Sequence, residues 1–304
     1  MATTVDDGPA TTVSTGPTAE ESFADAVRRV VRPIDVVAIL LPAAVFLGAG
    51  LLPSALREQL AFSYADPDAL TALTANFVHA DGGHLFRNLT AYLVVVSTAY
   101  VLSALAGRRQ LFYTVFAVVF IAFPFVLSGL NLAVPREALS LGASGLTLAF
   151  VGYLPVAIAE YVRRRFSVVN TARRDIAGGL FFVGLIVVIP LAVAAVQPRL
   201  TGVLTVVSLL AVAGYGVSLR RSGIDRSTLR GPPPGFLELG IWSVVVLLTA
   251  LVTAFPTDPL SDAGLVNTYT HFLGYTLGFL SSYLAVLLFF EASESRRRPI
   301  RTDR

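Results

Sequence analysis

The segment HFLGYTLG, residues 271–278, opens the last long apolar stretch of the chain. Gly274 and Gly278 follow His271 at the +3 and +7 positions, so the three residues share one face of a helix. The two glycines form a GxxxG pattern, which allows a second helix to approach closely within a membrane. This segment therefore predicts an apolar helix that holds a histidine against a close neighbour.

A second apolar stretch, 144–162, offers a matching face of small residues. That face is formed by Gly145, Ala149 and Gly152. Packing it on the HFLGYTLG segment would bring Ser144 into contact with His271, which is the geometry that a serine–histidine dyad needs. We therefore predict that the two helices lie side by side and that the two polar residues meet at one end.

The composition indicates a membrane protein. Hydrophobic residues make up 55% of the 304 residues and charged residues only 14%, whereas a soluble domain carries about a quarter charged residues. The absence of cysteine excludes disulfides, thiolate catalysis and cysteine metal sites.

All 23 basic residues are arginine, which is typical of a GC-rich or halophilic prokaryote such as a haloarchaeon. They lie between apolar runs, as topology requires, so the net charge of +3 predicts the lipid bilayer and not nucleic acid as a partner.

Eight stretches have the roughly 20 apolar residues that a membrane-spanning helix needs. They are 33–53, 84–103, 111–133, 144–162, 178–196, 200–219, 237–255 and 269–290. With eight spans, all but four of the 23 arginines fall on the same side as both termini; the four are Arg57, Arg87, Arg136 and Arg199. By the positive-inside rule, both termini are predicted to lie in the cytoplasm.

We therefore expect an all-α, polytopic protein of the cell membrane with three parts. These are a disordered acidic cytoplasmic tail at 1–32, a transmembrane domain at 33–290 and a basic cytoplasmic tail at 291–304. The second, fourth and eighth spans run in the same direction, from outside to inside. Each begins with a polar motif, so these motifs are predicted to lie at one depth near the outer face.

Histidine occurs only within two of these motifs, as His79, His84 and His271. Imidazole is the usual base for an activated serine, and Ser144 lies in GASG at 142–145, where a loop becomes a helix. Glycine at this position permits a tight turn, and the helix N-terminus offers amide donors to an oxyanion. Alone, a GxSG pattern indicates helix packing more often than catalysis.

Asn88 lies four residues after His84, so both point the same way from the second span, where an amide could donate to an oxyanion. The alternative is a polar pair that joins helices. A zinc site is disfavoured because HExxH is absent and no membrane carboxylate accompanies the histidines. The missing carboxylate also favours a dyad over a triad, and we expect neither a metal nor a cofactor.

Taken in order, these motifs resemble the rhomboid family of intramembrane serine proteases across roughly residues 70–290. The resemblance rests on three motifs, His79-x4-His84-x3-Asn88, Gly142-x-Ser144-Gly145 and His271-x2-Gly274-x3-Gly278. It implies a rhomboid-like helical bundle with Ser144 as nucleophile and His271 as base. It also implies that Asn88 and His84 line the oxyanion site, and that the substrates are single-span membrane proteins cut near their outer end.

Three features depart from the family pattern. Three predicted spans, not one, separate the serine helix from the histidine helix. Leu148 stands where many members carry a tyrosine that packs on the histidine, and Tyr275 could substitute for it. The first external loop, about 54–83, lacks the Trp-Arg element common in bacterial members, since the only tryptophan is Trp242.

Two other functions stay open at this point. A catalytically silent rhomboid-like protein that binds membrane clients would usually lack the serine or the histidine, and this chain keeps both. A transporter would need intramembrane charges or broken helices along a path. Charges are scarce in the spans, although Pro124, Pro155 and Pro190 could mark kinks.

Overall fold

Long apolar helices dominate the computed structural model, which describes residues 21–134, 139–166, 170–193, 198–222, 233–255, 260–261, 264–265 and 267–291. Within these residues the α-helices are α1 (Phe23–Val30), α2 (Pro33–Gly50), α3 (Ser54–Gln59), α4 (Ala69–Thr74), α5 (Gly82–Leu105), α6 (Arg109–Ile121), α7 (Phe123–Asn131), α8 (Ser144–Arg165), α9 (Asn170–Val193), α10 (Pro198–Arg221), α11 (Phe236–Ala254) and α12 (Thr268–Ala285). A π-helical segment, Val286–Glu291, continues α12. Two antiparallel ribbons pair β1 (Phe62–Ser63) with β2 (Leu139–Ser140), and β3 (Leu260–Ser261) with β4 (Gly264–Leu265).

Among the described helices, seven are long and apolar enough to cross a membrane. They are α2, α5, α8, α9, α10, α11 and α12, and the bent pair α6 and α7 would make an eighth span. In a bilayer, backbone N–H and C=O groups must be satisfied within the chain, which helices achieve without partners. The fold is therefore that of an all-helical, multi-pass membrane protein.

The third predicted span, 111–133, is not one continuous helix. It divides into α6 and α7, which meet at a bend of 47°. Pro124 lies in the first turn of α7, where it lacks an N–H and its ring clashes with the preceding turn. Pro155 and Pro190, by contrast, lie inside the unbroken helices α8 and α9. Only one of the three prolines therefore breaks its span.

The predicted disorder of the whole segment 1–32 is wrong for its last part, because α1 lies there. Ser22 caps α1 by accepting a hydrogen bond from the backbone N–H of Asp25 at 3.2 Å. The side chain of Phe23 packs edge-to-face on Phe236 at the start of α11, and Ala26 is fully buried. Local capping and these contacts order a segment that composition alone places in a tail. Residues 1–20 and 292–304 of the two predicted tails lie outside the described residues.

Helix α8 forms the centre of the bundle, since nearly every residue from Gly145 to Tyr161 is buried. Helices α5, α9, α11 and α12 all pack against it, and its contact with α12 is the most extensive helix–helix interface among the described residues. Polar groups mark both ends of α8. Ser144 begins the helix, and Glu160 near its other end accepts hydrogen bonds from Arg108, Arg163 and Arg173 at 2.8, 3.2 and 2.7 Å.

Candidate active site

The loop that precedes Ser144 is fixed by a ribbon and a turn. Ribbon β1–β2 ties it to the segment between α2 and α5, and the backbone N–H of Gly142 donates to the carbonyl oxygen of Ala75 at 2.8 Å. Gly142 has φ +113°, a left-handed conformation that other residues adopt only with strain. Ser144 is then the first helical residue of α8, and no side chain caps this helix. The amide donors of the first turn therefore lie beside the serine hydroxyl.

Ser144 and His271 are in direct contact. The Nε2 atom of His271 lies 2.7 Å from the hydroxyl oxygen of Ser144, and its Nδ1 atom lies 2.7 Å from the carbonyl oxygen of Ala254. A carbonyl can only accept, so Nδ1 carries the proton and Nε2 is left to accept from the serine hydroxyl. The Phe255 ring lies nearly perpendicular to the imidazole at a centroid distance of 5.8 Å. The histidine is thus held in the tautomer that a general base requires.

The small faces of α8 and α12 meet without room for side chains. A Cβ atom on Gly274 would overlap the carbonyl oxygen of Gly145, and one on Gly278 would overlap that of Ala149. On the other helix, a Cβ atom on Gly152 would overlap the carbonyl oxygen of Tyr275, one turn after His271. At these glycines the backbone of the neighbouring helix occupies the space that a side chain would need. This close approach of α8 and α12 brings Ser144 and His271 together.

Asn88 and His84 lie on the other side of the serine loop, against Gly142. A Cβ atom there would lie 2.7 Å from Cε1 of His84 and 3.8 Å from Nδ2 of Asn88. The Asn88 amide donates to the backbone oxygen of His84 at 3.1 Å, and its second N–H gives it another donor. Both side chains therefore lie against the loop at a point two residues before Ser144. The structure records no direct hydrogen bond from either of them to its hydroxyl among the described residues.

His79 is hydrogen-bonded to the loop that precedes Ser144. Its ring is fully buried, and its Nε2 atom accepts a hydrogen bond from the backbone N–H of Ala143 at 3.4 Å. Arg57 fixes the backbone around it by donating to the carbonyl oxygens of His79 and Ala80 at 2.8 and 3.1 Å. Burial lowers the pKa of His79 from 6.5 to about 4, so the ring stays neutral at physiological pH. This neutral form is the one that can accept the amide.

A cluster of polar side chains fixes the beginning of α12, four residues before His271. Asn267 caps the helix by accepting from the backbone N–H of Thr270 at 3.1 Å, and its amide donates to Asn131 of α7 at 3.2 Å. The Thr270 hydroxyl also donates to Asn131, at 2.9 Å, and the Asn267 amide reaches the Tyr64 hydroxyl at 3.1 Å. The bend of the third span turns α7 so that Asn131 can anchor the histidine helix.

A cavity of about 30 Å³ adjoins Ser144. Its other polar lining residues are Asn76, Ser128, Asn131, Ser140, Asn267 and Thr270. This space admits roughly one or two water molecules, and its amides and hydroxyls offer the several hydrogen-bond partners that a buried water needs. The cavity is therefore large and polar enough for water beside the serine.

Several residues that support the Ser144–His271 pair are not predicted from the sequence. Ala254 acts through its backbone, which no motif marks. Asn267 carries a signal, because asparagine is a favoured N-cap residue just before an apolar run. The sequence allows Tyr275 to substitute for a tyrosine that packs on the histidine, but its hydroxyl donates to the carbonyl oxygen of Phe181 of α9 at 3.0 Å. Phe255 takes that place instead, from the end of α11.

The described residues contain no group of three or more His, Asp or Glu side chains arranged to hold a metal ion. In comparisons with known proteins, no family model, curated protein or solved structure matches the chain.

Proposed function

We propose that this protein is an intramembrane serine endopeptidase of the rhomboid type, which cleaves single-span membrane proteins near their outer end. The observation that carries the proposal is the 2.7 Å contact between the Ser144 hydroxyl and Nε2 of His271. A partly buried serine that faces a histidine of the correct tautomer, at a helix N-terminus, is the arrangement of a nucleophile and its base.

The first chemical step follows from this pair. As the Ser144 oxygen attacks the carbonyl carbon of the scissile peptide bond, its proton passes to Nε2 of His271, and a tetrahedral intermediate forms. The imidazolium then gives the proton to the leaving amine as the peptide bond breaks. The Ala254 carbonyl keeps Nδ1 engaged throughout, so the ring neither turns nor changes tautomer.

The developing oxyanion needs donors at the start of α8. The first turn of α8 begins at Ser144 and leaves its N–H groups without a side-chain cap, and the amide of Asn88 lies against Gly142, two residues before the serine. Such preorganised donors are worth more in a site from which bulk water is excluded. His84 touches the same loop and would complete this oxyanion site.

Hydrolysis of the acyl-enzyme requires water at the serine. The polar cavity beside Ser144 supplies a place for one or two molecules, and His271 would take a proton from one of them in the second half of the reaction.

The orientation is part of the proposal. The end of the bundle that contains Glu160 and its arginines would face the cytoplasm, with both termini, and the Ser144 end would lie near the outer face.

The experiment is cleavage in liposomes. The protein would be reconstituted with single-span test proteins that carry different tags at their two ends, and the fragments would be mapped by mass spectrometry. We expect cleavage within or near the outer part of the span, and none with Ser144→Ala. Ser281→Ala is a matched control, because that hydroxyl donates to the backbone of its own helix. Equal cleavage by wild type and Ser144→Ala would overturn the proposal.

A further inference from the structure

Three helices, α9, α10 and α11, separate α8 from α12 along the chain. One of them, α9, packs against α12, the helix that carries His271. Helix α9 packs on α8, α11 and α12, whereas α10 has α9 as its main partner. The hairpin of α9 and α10 is therefore attached to the bundle through α9. What α9 touches on α12 indicates what this hairpin does.

The contact between α9 and α12 is a stack of aromatic rings. Phe181 of α9 lies parallel to Phe279 at a centroid distance of 4.0 Å, and to Tyr275 at 5.3 Å. Tyr283 extends the stack beyond Phe279 at 5.3 Å. One phenylalanine thus contacts two successive turns of α12, beginning one turn after His271. Such ring contacts add stabilisation beyond the area that they bury.

Tyr275 is also held by its hydroxyl, which lies in the apolar interior. The hydroxyl donates to the carbonyl oxygen of Phe181 at 3.0 Å, and the side chain is fully buried. Gly184, one turn further along α9, makes room for the phenol: a Cβ atom there would overlap the hydroxyl oxygen and lie 2.8 Å from Cζ. A buried hydroxyl without this acceptor would be costly, so the ring has one place to lie.

The same residue is fixed on its other side. The carbonyl oxygen of Tyr275 occupies the space next to Gly152 of α8. The backbone of Tyr275 therefore contacts α8, while its side chain packs against α9. Because His271 lies one turn earlier on the same helix, a displacement at Tyr275 moves the imidazole relative to Ser144. Helix α12 is therefore held between the serine helix and α9 at the level of the dyad.

We propose that α9 positions the general base, with Phe181, Gly184 and Tyr275 as positioning residues that set the distance between His271 and Ser144. The proposal depends on the proposed function for its catalytic meaning. The additional hairpin is then a support for the histidine helix and not an appended module.

The direct test compares two glycines of the hairpin in the full-length protein. Gly184→Ala forces a methyl group into the Tyr275 phenol and to 2.9 Å from a methyl group of Leu251, whereas a Cβ atom on Gly214 of α10 meets no atom of the described residues within 4 Å. A shift of even ~1 Å at a reacting group can cost about 10²-fold in rate. We expect Gly184→Ala to lower kcat by one to two orders of magnitude, with KM nearly unchanged, and Gly214→Ala to match wild type.

A compensating change separates positioning from general destabilisation. Tyr275→Phe removes the oxygen that the new methyl group would overlap most and keeps the ring that stacks on Phe181, whereas the close approaches to Cζ and to Leu251, at 2.8 and 2.9 Å, remain. The double variant Gly184→Ala with Tyr275→Phe should therefore recover part of the kcat that Gly184→Ala loses. No recovery, or a loss of kcat fully explained by a smaller fraction of folded protein, would overturn the proposal.

A second measurement does not need proteolysis. The chain has only three histidines, so imidazole nitrogen NMR of histidine-labelled protein in detergent gives three sets of signals, assigned with His79→Gln and His84→Gln. The signals of His271 should change in Gly184→Ala and stay at their wild-type positions in Gly214→Ala. Unchanged His271 signals in Gly184→Ala would overturn the positioning role. If wild type cleaves nothing but these signals respond as expected, the proposed function fails while the structural coupling stands.

Discussion

The Nδ1 atom of His271 lies 2.7 Å from the carbonyl oxygen of Ala254, the last residue of α11. This carbonyl is one of those that a helix end leaves without an intrahelical partner, and it lies at the negative end of the α11 dipole. It therefore orients the imidazole and would stabilise the imidazolium that forms during catalysis. Under the proposed function, this helix end would take the place of the carboxylate that completes many serine hydrolase sites.

The dyad should behave as a unit. We expect Ser144→Ala and His271→Ala each to abolish cleavage, and the double variant to be no worse than either single one, because each removes the same activated nucleophile. Rates measured in one set of liposomes would check this. Losses that multiply in the double variant would mean that the two residues act independently, against their 2.7 Å contact.

Asn88 is expected to act on the transition state. Asn88→Ala should lower kcat by ~10²-fold with little change in KM, the scale for one lost oxyanion donor. Asn88→Asp has the same shape but no amide donor, so it should lose as much. Asn88→Ala should fold, since the Asn88 amide otherwise donates to the backbone of its own helix. A folded Asn88→Ala protein with the wild-type kcat would remove Asn88 from the mechanism.

The close approach of α8 and α12 should tolerate no side chain at Gly274. Gly274→Leu would force the Gly145 carbonyl away, so we expect it to destroy activity and lower the Tm in detergent although it removes no catalytic group. Gly48→Leu on α2 is the matched control, because a Cβ atom there meets no atom within 4 Å. Ser144→Ala should leave the Tm unchanged. Normal activity in Gly274→Leu would show that this interface does not set the dyad geometry.

His79 should make the stability depend on pH. Its pKa is about 4 in the folded protein and 6.5 ordinarily, so between these values the unfolded chain binds more protons than the folded one. Stability should therefore fall as the pH is lowered from 6.5 to 4. His79→Gln lacks the titrating ring, so thermal unfolding in detergent should show a weaker decline over this range. Parallel declines in wild type and variant would contradict the assignment.

Parts of this architecture could be predicted from the sequence and others could not, for physical reasons. The contact between α8 and α12 is marked because Gly274 and Gly278 recur on one face, where only a close neighbour explains them. The break in the third span has no change in hydropathy to mark it, and Pro124 looks no different from Pro155 in α8.

The supports of His271 are hidden for another reason. Ala254 acts through a backbone carbonyl 17 residues away, and Phe181 through a tertiary contact with another helix. Tyr275 is an example. Its spacing from His271 permits contact with the imidazole, but the space left by the missing side chain of Gly184 accommodates its ring against α9.

The most direct test of the central claim is reaction of the reconstituted protein with a fluorophosphonate probe, followed by mass spectrometry of the modified peptide. An activated serine reacts with such a probe, whereas an ordinary hydroxyl does not. We predict a single modified residue, Ser144, with labelling lost in His271→Ala although the serine remains. Labelling of another serine, or equal labelling of Ser144 in wild type and His271→Ala, would contradict the account.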